Sequence, residues 1–372
     1  MLQRLYVNNF RCLVNFELKL DRLNLLLGVN GCGKSSAFDV LRKLQDFVIN
    51  EEVASDVFPL HDKTEGLNYD IQRFELDISV GNDDNYSYKL DIQHDIELKK
   101  AQVSKEELSI NGKPLFIYSD GMAHLYRDDH TSGPEYPFNM WRSGVGYLSE
   151  RKDNKKLIRF KRELERFVVV RPIPDLMENP SPNEDNRLAE KMQNFPSWYR
   201  YASQAHGELG VKLATELGDV LPSFRHLKFD TLGENHKLLK VNFDPPDRGR
   251  LPLSLNFKRL SDGQKMLIAL YTLLFYSTLQ EQGISLFIDE PDNFLALREI
   301  QPWLSTLASE CGDTIEQAIL ISHHPEVIDY LGNANGRWFF RDGTNPVQVS
   351  DELKNPMDVL SLSETVARGW EQ

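Results

Sequence analysis

The fold is decided by the stretch Gly28-Val29-Asn30-Gly31-Cys32-Gly33-Lys34-Ser35. It matches the pattern G-x-x-x-x-G-K-[ST], follows an apolar strand predicted over 22–27, and opens an amphipathic helix predicted over 34–48. Glycines let backbone N–H groups turn inward around phosphate oxygens, and a helix start adds partial positive charge. The pattern therefore predicts a phosphate-binding loop; the alternative is an ordinary glycine turn at a helix start.

Two side chains at the end of this stretch carry its chemistry. Lys34 would bridge the outer phosphates of a nucleotide, and the hydroxyl of Ser35 would bind Mg²⁺. A nucleotide and Mg²⁺ are thus the expected ligands of this stretch.

A second polar group follows the apolar strand predicted over 284–288, which ends in Asp289 and Glu290. Acids at the carboxyl end of a buried strand lie at the usual ligand edge of an α/β sheet. Asp289 suits Mg²⁺, directly or through water, and Glu290 suits a general base for the attacking water. Alone, the pattern also fits a strand followed by a solvated turn, but a phosphate loop in the same chain favours the catalytic interpretation.

Two further segments resemble parts of a nucleotide site. Leu260-Ser261-Asp262-Gly263-Gln264 precedes an apolar helix predicted over 265–278, and locally it also reads as a simple N-cap. The strand predicted over 318–322 ends in His323 and His324. A histidine after a strand is more often a hydrogen-bonded structural residue than a catalytic one.

Composition limits the class of protein. The 372 residues include 43 basic and 56 acidic side chains, a net charge of -13, which disfavours a protein that coats duplex DNA. Cys12, Cys32 and Cys311 are widely spaced and fit a reducing cytosol. The longest apolar stretch, residues 266–276, is too short to span a membrane and is expected to be a buried helix.

The order of predicted elements suggests one split core with insertions. Short alternating strands between 69 and 118 predict an inserted antiparallel sheet, residues 119–150 a long loop, and residues 178–187 a linker. The expected parts are the first part of the core with the phosphate loop (1–68), the β insertion and loop (69–150), a helical insertion (151–225), the second part of the core (226–345) and a C-terminal segment (346–372).

These motifs, in this order, resemble the ABC-type ATPases of the SMC and RecF class, and within it the standalone ATPases related to the overcoming-lysogenization-defect proteins. The opening Asn9-Phe10-Arg11, the segment 170–174 and the ending around 362–364 and 368–370 share the resemblance. The resemblance implies an α/β P-loop NTPase, an ABC ATPase head with a split core, an inserted antiparallel β-sheet and a helical insertion.

The resemblance also implies a head-to-tail dimer, in which ATP lies between the phosphate loop of one subunit and the signature Ser261 of the other. It makes His323 the switch histidine at the γ-phosphate and Arg11 a nucleotide contact. The catalytic residues expected are Lys34, Glu290 and His323, and the metal ligands Ser35 and Asp289. The expected nucleotide contacts are Arg11, Gly28, Asn30, Gly31, Cys32, Gly33, Lys34, Ser35, Ser36, Ser261, Gly263 and Gln264.

The sequence departs from the relatives in three places. After Asp289-Glu290-Pro291 the relatives usually have an acid, Asn, any residue, then Leu-His-Pro, whereas this chain continues through 292–297 without the histidine and proline. His324 stands where a serine is usual. The relatives carry a glutamine in the loop that links the two lobes of the head. We assign no such glutamine here, because Gln72 lies in the inserted sheet and residues 147–149 correspond better in position to that loop.

The motifs above concern nucleotide chemistry, whereas the biological role depends on which partner the chain binds. Residues 151–166 hold eight Lys or Arg against three acids, which predicts a solvated helix face or a surface for nucleic acid or an acidic partner. The resemblance favours a switch that controls a separate nuclease or toxin in bacterial antiphage defence. A RecF-like DNA-repair ATPase is the alternative, and a transporter motor fits less well because of the large insertion.

Overall fold

The computed structural model describes residues 1–81, 83–95, 97–98, 100–233, 235–245, 251–352 and 361–367. The chain divides into two compact units. The terminal unit comprises Met1–Phe167 with Ala334–Gln372, and the central unit comprises Val168–Asn333.

The helices of the described residues are α1 (Lys34–Val48), α2 (Ala54–Val57), α3 (Gly144–Tyr147), α4 (Lys155–Glu165), α5 (Phe195–Ala205), α6 (Leu209–Val220), α7 (Asp262–Thr278), α8 (Leu297–Glu310), α9 (Pro325–Asn335) and α10 (Leu362–Ala367). The strands are β1 (Leu2–Asn8), β2 (Phe16–Lys19), β3 (Leu23–Leu27), β4 (Ile71–Val80), β5 (Asp84–Asp95), β6 (Lys100–Ile110), β7 (Lys113–Ser119), β8 (Met122–Tyr126), β9 (Ser132–Pro137), β10 (Phe167–Val170), β11 (Phe224–Leu232), β12 (His236–Phe243), β13 (Leu253–Asn256), β14 (Ser285–Asp289), β15 (Gln317–Ile321), β16 (Gly336–Phe340) and β17 (Gln348–Ser350).

An antiparallel sheet forms much of the terminal unit. Its eight strands follow the order β2-β1-β4-β5-β6-β7-β8-β9. Side chains alternate between buried and exposed along β4 and β6, as expected where one face of a sheet packs on a core. Asn111 and Gly112 join β6 to β7 with φ of 50° and 74°, the left-handed conformations that a tight hairpin needs. The predicted antiparallel insertion is confirmed.

The predicted long loop over 119–150 is wrong. β7 turns back at Asp120 and Gly121, whose φ values are 52° and 80°, and β8 and β9 extend the sheet. The sequence of β9 contains glycine and two prolines, which locally indicate a loop. Proline is tolerated there because β9 is the edge strand, where a missing N–H breaks no pairing.

The phosphate-loop stretch lies between β3 and α1 in the terminal unit. β3 is buried over most of its length and pairs in parallel with β16. α1 buries one face, which includes Phe38, Leu41, Leu44 and Val48, so the predicted helix has the predicted bounds. This packing holds the loop between two fixed elements.

The central unit contains β14 and β15, which pair in parallel with Asp289 opposite Ile321. Both strands are buried throughout. α7 is also largely buried, and the indole of Trp303 on α8 donates to the carbonyl of Leu270 at 3.2 Å. The apolar stretch 266–276 is therefore a buried helix, as expected, and no helix of the described residues is long and apolar enough to cross a membrane.

The segment 178–187 contains no helix or strand, yet it is not a free linker. The side chain of Asn179 donates to the carbonyl of Leu239 on β12 and accepts from the N–H of the same residue. Ser181 is buried and bridges to Lys237. Local polarity predicted solvent exposure here, but hydrogen bonds to a neighbouring strand hold the segment in place.

Candidate functional site

The phosphate-loop stretch depends on glycine at both ends. Gly28 has φ of 137°, and a Cβ added to it would lie 2.3 Å from the carbonyl oxygen of Phe339. Gly33 has φ of 98° and is the N-cap of α1; its added Cβ would lie 2.9 Å from Sγ of Cys12. A side chain at either position would therefore meet both backbone strain and a clash.

Lys34 is directed back onto the loop that precedes it. The residue is 5% exposed, and its Nζ donates to the carbonyls of Gly28 at 2.6 Å and Val29 at 3.1 Å. Ser35 follows it in the first turn of α1 and is exposed. The ammonium of Lys34 therefore lies at the loop, and the next residue, Ser35, is exposed to solvent.

The start of α1 is electrostatically open. No side chain caps it, and its first turn has no acid. The first N–H groups of a helix have no partner within the helix and carry partial positive charge. Gly31, with φ of 80°, leaves open space where a Cβ would stand. The stretch fits a phosphate group sterically and electrostatically.

Cys32 is buried inside the loop, with Sγ 3.6 Å from Nζ of Lys34. Burial raises the pKa of its thiol above the ordinary value, and the nearby ammonium only partly opposes this. A neutral thiol is a small packing group, so Cys32 contributes shape to the loop and no charge.

Arg11 is tied to two carboxylates of the terminal unit. Its Nε donates to Oδ1 of Asp62 at 2.8 Å, and its Nη1 pairs with Asp39 on α1. Asp62 is buried and also pairs with Nζ of Lys43 at 2.8 Å. Burial alone would raise the pKa of Asp62, but the hydrogen bonds from Lys43 and Arg11 outweigh it and lower that pKa. Arg11 is therefore held as a fixed cation.

A cavity of about 560 Å³ opens beside Arg11. Arg341 lines it and also donates from Nη1 to the carbonyl of Gly31 at 3.4 Å, so the cavity adjoins the phosphate loop. Thr64 lines it too, and among the described residues its buried hydroxyl has no hydrogen-bond partner. The volume lies within the range of small-molecule sites and leaves polar groups for a ligand.

The central unit presents the two predicted acids at the carboxyl end of β14. Asp289 is 4% exposed. Glu290 has a left-handed backbone, with φ of 55°, and its N–H donates to the carbonyl of Ile321 at 2.8 Å. A non-glycine residue in this conformation is uncommon and is held by its surroundings.

The Glu290 carboxylate has two partners in the central unit. Its Oε2 accepts from Nδ2 of Asn293 at 2.7 Å and lies 3.5 Å from Nη2 of Arg171. The glutamate side chain remains 29% exposed. It is therefore oriented and also accessible to water.

The paired histidines after β15 have different environments. His323 is exposed, whereas the Nδ1 of His324 accepts from the N–H of Glu326 at 3.3 Å and so caps the start of α9. Asp292 is buried nearby; burial raises its pKa, and a hydrogen bond with Ser322 and the proximity of His324 oppose the rise. Of the two histidines, His323 is the more exposed.

The signature segment begins α7 with a capping box. Oγ of Ser261 accepts from the N–H of Gln264 at 3.3 Å, and Oε1 of Gln264 accepts from the N–H of Ser261 at 3.1 Å. A Cβ on Gly263 would lie 2.8 Å from the carbonyl oxygen of Phe294. The structure brings this helix start against the loop that follows Glu290.

Several cations of the basic segment 151–166 are held by nearby groups of the terminal unit. Arg159 pairs with Asp84 at 2.6 Å and Arg162 with Glu150 at 2.7 Å. Nζ of Lys156 donates to the carbonyl of Asp128 at 2.8 Å. These contacts favour the solvated helix face.

The predicted site residues thus fall into two groups. The terminal unit holds Arg11 and the loop through Ser36, while the central unit holds the acids, His323 and the signature residues. Sequence reasoning missed the roles of Asp62 and Arg171, because an ion pair between distant residues leaves no local pattern. It also missed Asn293, a neutral amide only three residues after Glu290. Gln72 is buried and donates to the carbonyls of Asn9 and Asp62. Of the resembling C-terminal residues, 362–364 lie in α10 and 368–370 lie outside the described residues.

Comparison with known proteins supports an ATPase. Residues 1–169 match the family model described as an AAA ATPase domain. No curated protein sequence matches the chain. The chain is similar to the SMC head domain from Thermotoga maritima at 13% identity and a TM-score of 0.48, over 94% of this chain and 98% of that one. The predicted α/β fold is confirmed by the sheets and helices of the structure, and the match over residues 1–169 supports an ATPase domain in that part of the chain.

Proposed function

We propose that this chain is a Mg²⁺-dependent ATPase that acts as a nucleotide-controlled switch. The observation that carries the proposal is the open, uncapped start of α1, preceded by a glycine loop with Lys34 folded over it. Such a start binds an anion with backbone N–H groups and a nearby ammonium. Arg11, the adjoining cavity and the hydroxyl of Thr64 would receive the nucleoside end of ATP.

The residues available for Mg²⁺ are the exposed hydroxyl of Ser35 and the carboxylate of Asp289. No group of three or more His, Cys, Asp or Glu side chains that could hold a metal occurs in the part of the chain that the structure describes. Phosphate oxygens would therefore complete the coordination, as is usual for Mg²⁺ at nucleotides. When bound, Mg²⁺ supplies neutralisation of the phosphate charge.

Hydrolysis requires a group that accepts a proton from the attacking water. Glu290 is suited to this role because its carboxylate is oriented by Asn293 and Arg171 but stays accessible. His323, exposed at the end of β15, would contact the γ-phosphate. Lys34 would stabilise charge on the same group.

Two copies of the chain would close on ATP head to tail, with Ser261, Gly263 and Gln264 of one copy against the nucleotide of the other. Nucleotide then acts as the bridge, and hydrolysis releases it. The motifs found account for ATP chemistry and for no second reaction. We propose that the output belongs to a separate nuclease or toxin in bacterial antiphage defence, as the resemblance implies.

The test of the chemistry is Glu290→Gln. It keeps the size of the side chain and removes the base, so we expect hydrolysis to fall by about a hundredfold or more while nucleotide binding is retained. Phosphate release and titration with a fluorescent ATP analogue measure the two quantities. Unchanged turnover would refute the assignment of Glu290 as the base.

The same variant tests the partner. A native pull-down with and without ATP, using Glu290→Gln protein to hold the ATP-bound state, should capture a nuclease or toxin in one nucleotide state. An empty result in both states would contradict regulation of an effector. Duplex DNA in place of protein would favour the RecF-like alternative, against which the ion pairs of segment 151–166 now weigh.

A further inference from the structure

Arg171 combines a hydrogen-bonded main chain with a half-exposed side chain. It directly follows β10, and its backbone N–H donates to the carbonyl of Glu190 at 2.7 Å. Two residues later, the N–H of Ile173 donates to the carbonyl of Lys191 at 3.2 Å. The main chain of Arg171 is therefore fixed, while half of its side chain is exposed.

The guanidinium of Arg171 faces the Glu290 carboxylate. Nη2 lies 3.5 Å from Oε2 of Glu290, the same oxygen that accepts from Asn293 at 2.7 Å. Within the described part of the chain, both polar contacts of the carboxylate are therefore to Oε2. Among the described residues, Oε1 accepts no hydrogen bond, and the side chain is 29% exposed, so this oxygen is available to a water molecule.

The backbone of Glu290 is already restrained by its hydrogen bond to Ile321 and its left-handed φ of 55°. The remaining freedom of the residue is the rotation of its side chain. Asn293 lies three residues after Glu290 in the same loop, whereas Arg171 comes from a different segment of the central unit. Arg171 is thus the contact that relates the carboxylate to a fixed point outside its own loop.

We propose that Arg171 is a positioning residue for Glu290, which holds Oε2 so that Oε1 faces the attacking water. This inference rests on the proposed role of Glu290 as the base. An exposed ion pair adds little to stability, so the effect of Arg171 is on the rate of hydrolysis and not on folding. Small errors in the placement of a catalytic group lower rates strongly.

The experiment measures single-turnover hydrolysis and nucleotide affinity for four proteins: Arg171→Ala, Arg171→Lys, Glu290→Gln and the Arg171→Ala/Glu290→Gln double variant. We expect Arg171→Ala to slow hydrolysis about tenfold with affinity for a fluorescent ATP analogue unchanged. Arg171→Lys should recover most of the rate, because the positive charge returns. In the Glu290→Gln background, Arg171→Ala should cause no further loss, since it acts only through the carboxylate.

Arg225 provides the matched control. Its side chain is 55% exposed, like that of Arg171, and its Nη1 lies 3.7 Å from Oδ1 of Asp244 in the same unit. Arg225→Ala should leave turnover unchanged, and equal melting temperatures of both alanine variants would separate the rate effect from folding.

Three results would overturn the inference: wild-type turnover in Arg171→Ala, an additional tenfold loss in the double variant, or weakened nucleotide binding. In each of these cases the loss of activity in Glu290→Gln would leave the proposed function standing. If instead Glu290→Gln hydrolyses ATP normally, the proposed function fails first, and with it the inference.

Discussion

Two helix starts in this protein are proposed to contact nucleotide phosphate, but they differ in how their first N–H groups are capped. α1 begins after Gly33, with no side-chain cap and no acid in its first turn. α7 begins with a complete capping box between Ser261 and Gln264, and Asp262 lies in its first turn. The first start leaves its N–H groups open to an anion, whereas the second has already satisfied part of them and carries Asp262 paired with Lys265 at 3.1 Å.

This difference in capping suggests different roles for the two helix starts, one in nucleotide binding and one in dimerisation. An open start can bind phosphate on its own, because no internal hydrogen bond must break first. A capped start gains less from phosphate, because the N–H of Gln264 must leave the hydroxyl oxygen of Ser261 before it can donate to phosphate. We infer that α1 holds nucleotide in a single copy, and that the α7 start contributes only when a second copy brings it to a nucleotide already bound.

The largest effect is expected for Lys34→Ala. The variant removes the ammonium at the open start, and a charge-assisted hydrogen bond to phosphate contributes about 1.5–3 kcal/mol, so ATP affinity should fall about ten- to hundredfold. Titration with a fluorescent ATP analogue measures this. The control is Lys105→Ala on β6, a lysine that pairs with Glu107 on the surface. Equal affinities of the two variants would contradict the role of Lys34.

An intermediate effect is expected for Ser36→Glu, which gives α1 the third-position side chain that Gln264 gives α7. The new carboxylate would reach back to the N–H of Gly33 and repel phosphate. We expect roughly tenfold weaker ATP binding, together with up to about 0.5 kcal/mol more stability without nucleotide. Ser36→Ala serves as the control. Wild-type affinity in Ser36→Glu would show that the open start of α1 does not govern binding.

The smallest effect is expected for Ser261→Ala, which opens the start of α7. Loss of the cap should lower the free energy of unfolding by about 1 kcal/mol and leave nucleotide binding by a single copy unchanged. Chemical denaturation and titration measure the two quantities. Ser261→Arg is the stronger companion variant, since its bulk should abolish ATP-dependent dimerisation in sedimentation experiments. An intact ATP-dependent dimer in Ser261→Arg would contradict the proposed head-to-tail arrangement.

Local patterns predicted the helices and strands in which buried residues recur at a regular spacing. α1 has the bounds that its apolar spacing predicts, and the alternation over β4 to β7 predicts their pairing. The segment 119–150 failed because the glycine and prolines of β9 indicate a loop, and only its place at the sheet edge permits a strand. Within the predicted helical insertion over 151–225, α5 begins only at Phe195, because the side chain of Asn194 binds the N–H of Ala189 and the carbonyl of Arg187.

By itself the sequence determined the phosphate loop, the acids at the end of β14 and the capped start of α7, because each depends on residues that are neighbours along the chain. The tertiary structure alone decided which distant residues orient the groups of the site. Arg171 meets Glu290, and Asp62 holds Arg11, across long separations in sequence. No local pattern encodes such a pair, since its geometry follows from how strands and loops pack and not from the spacing of residues.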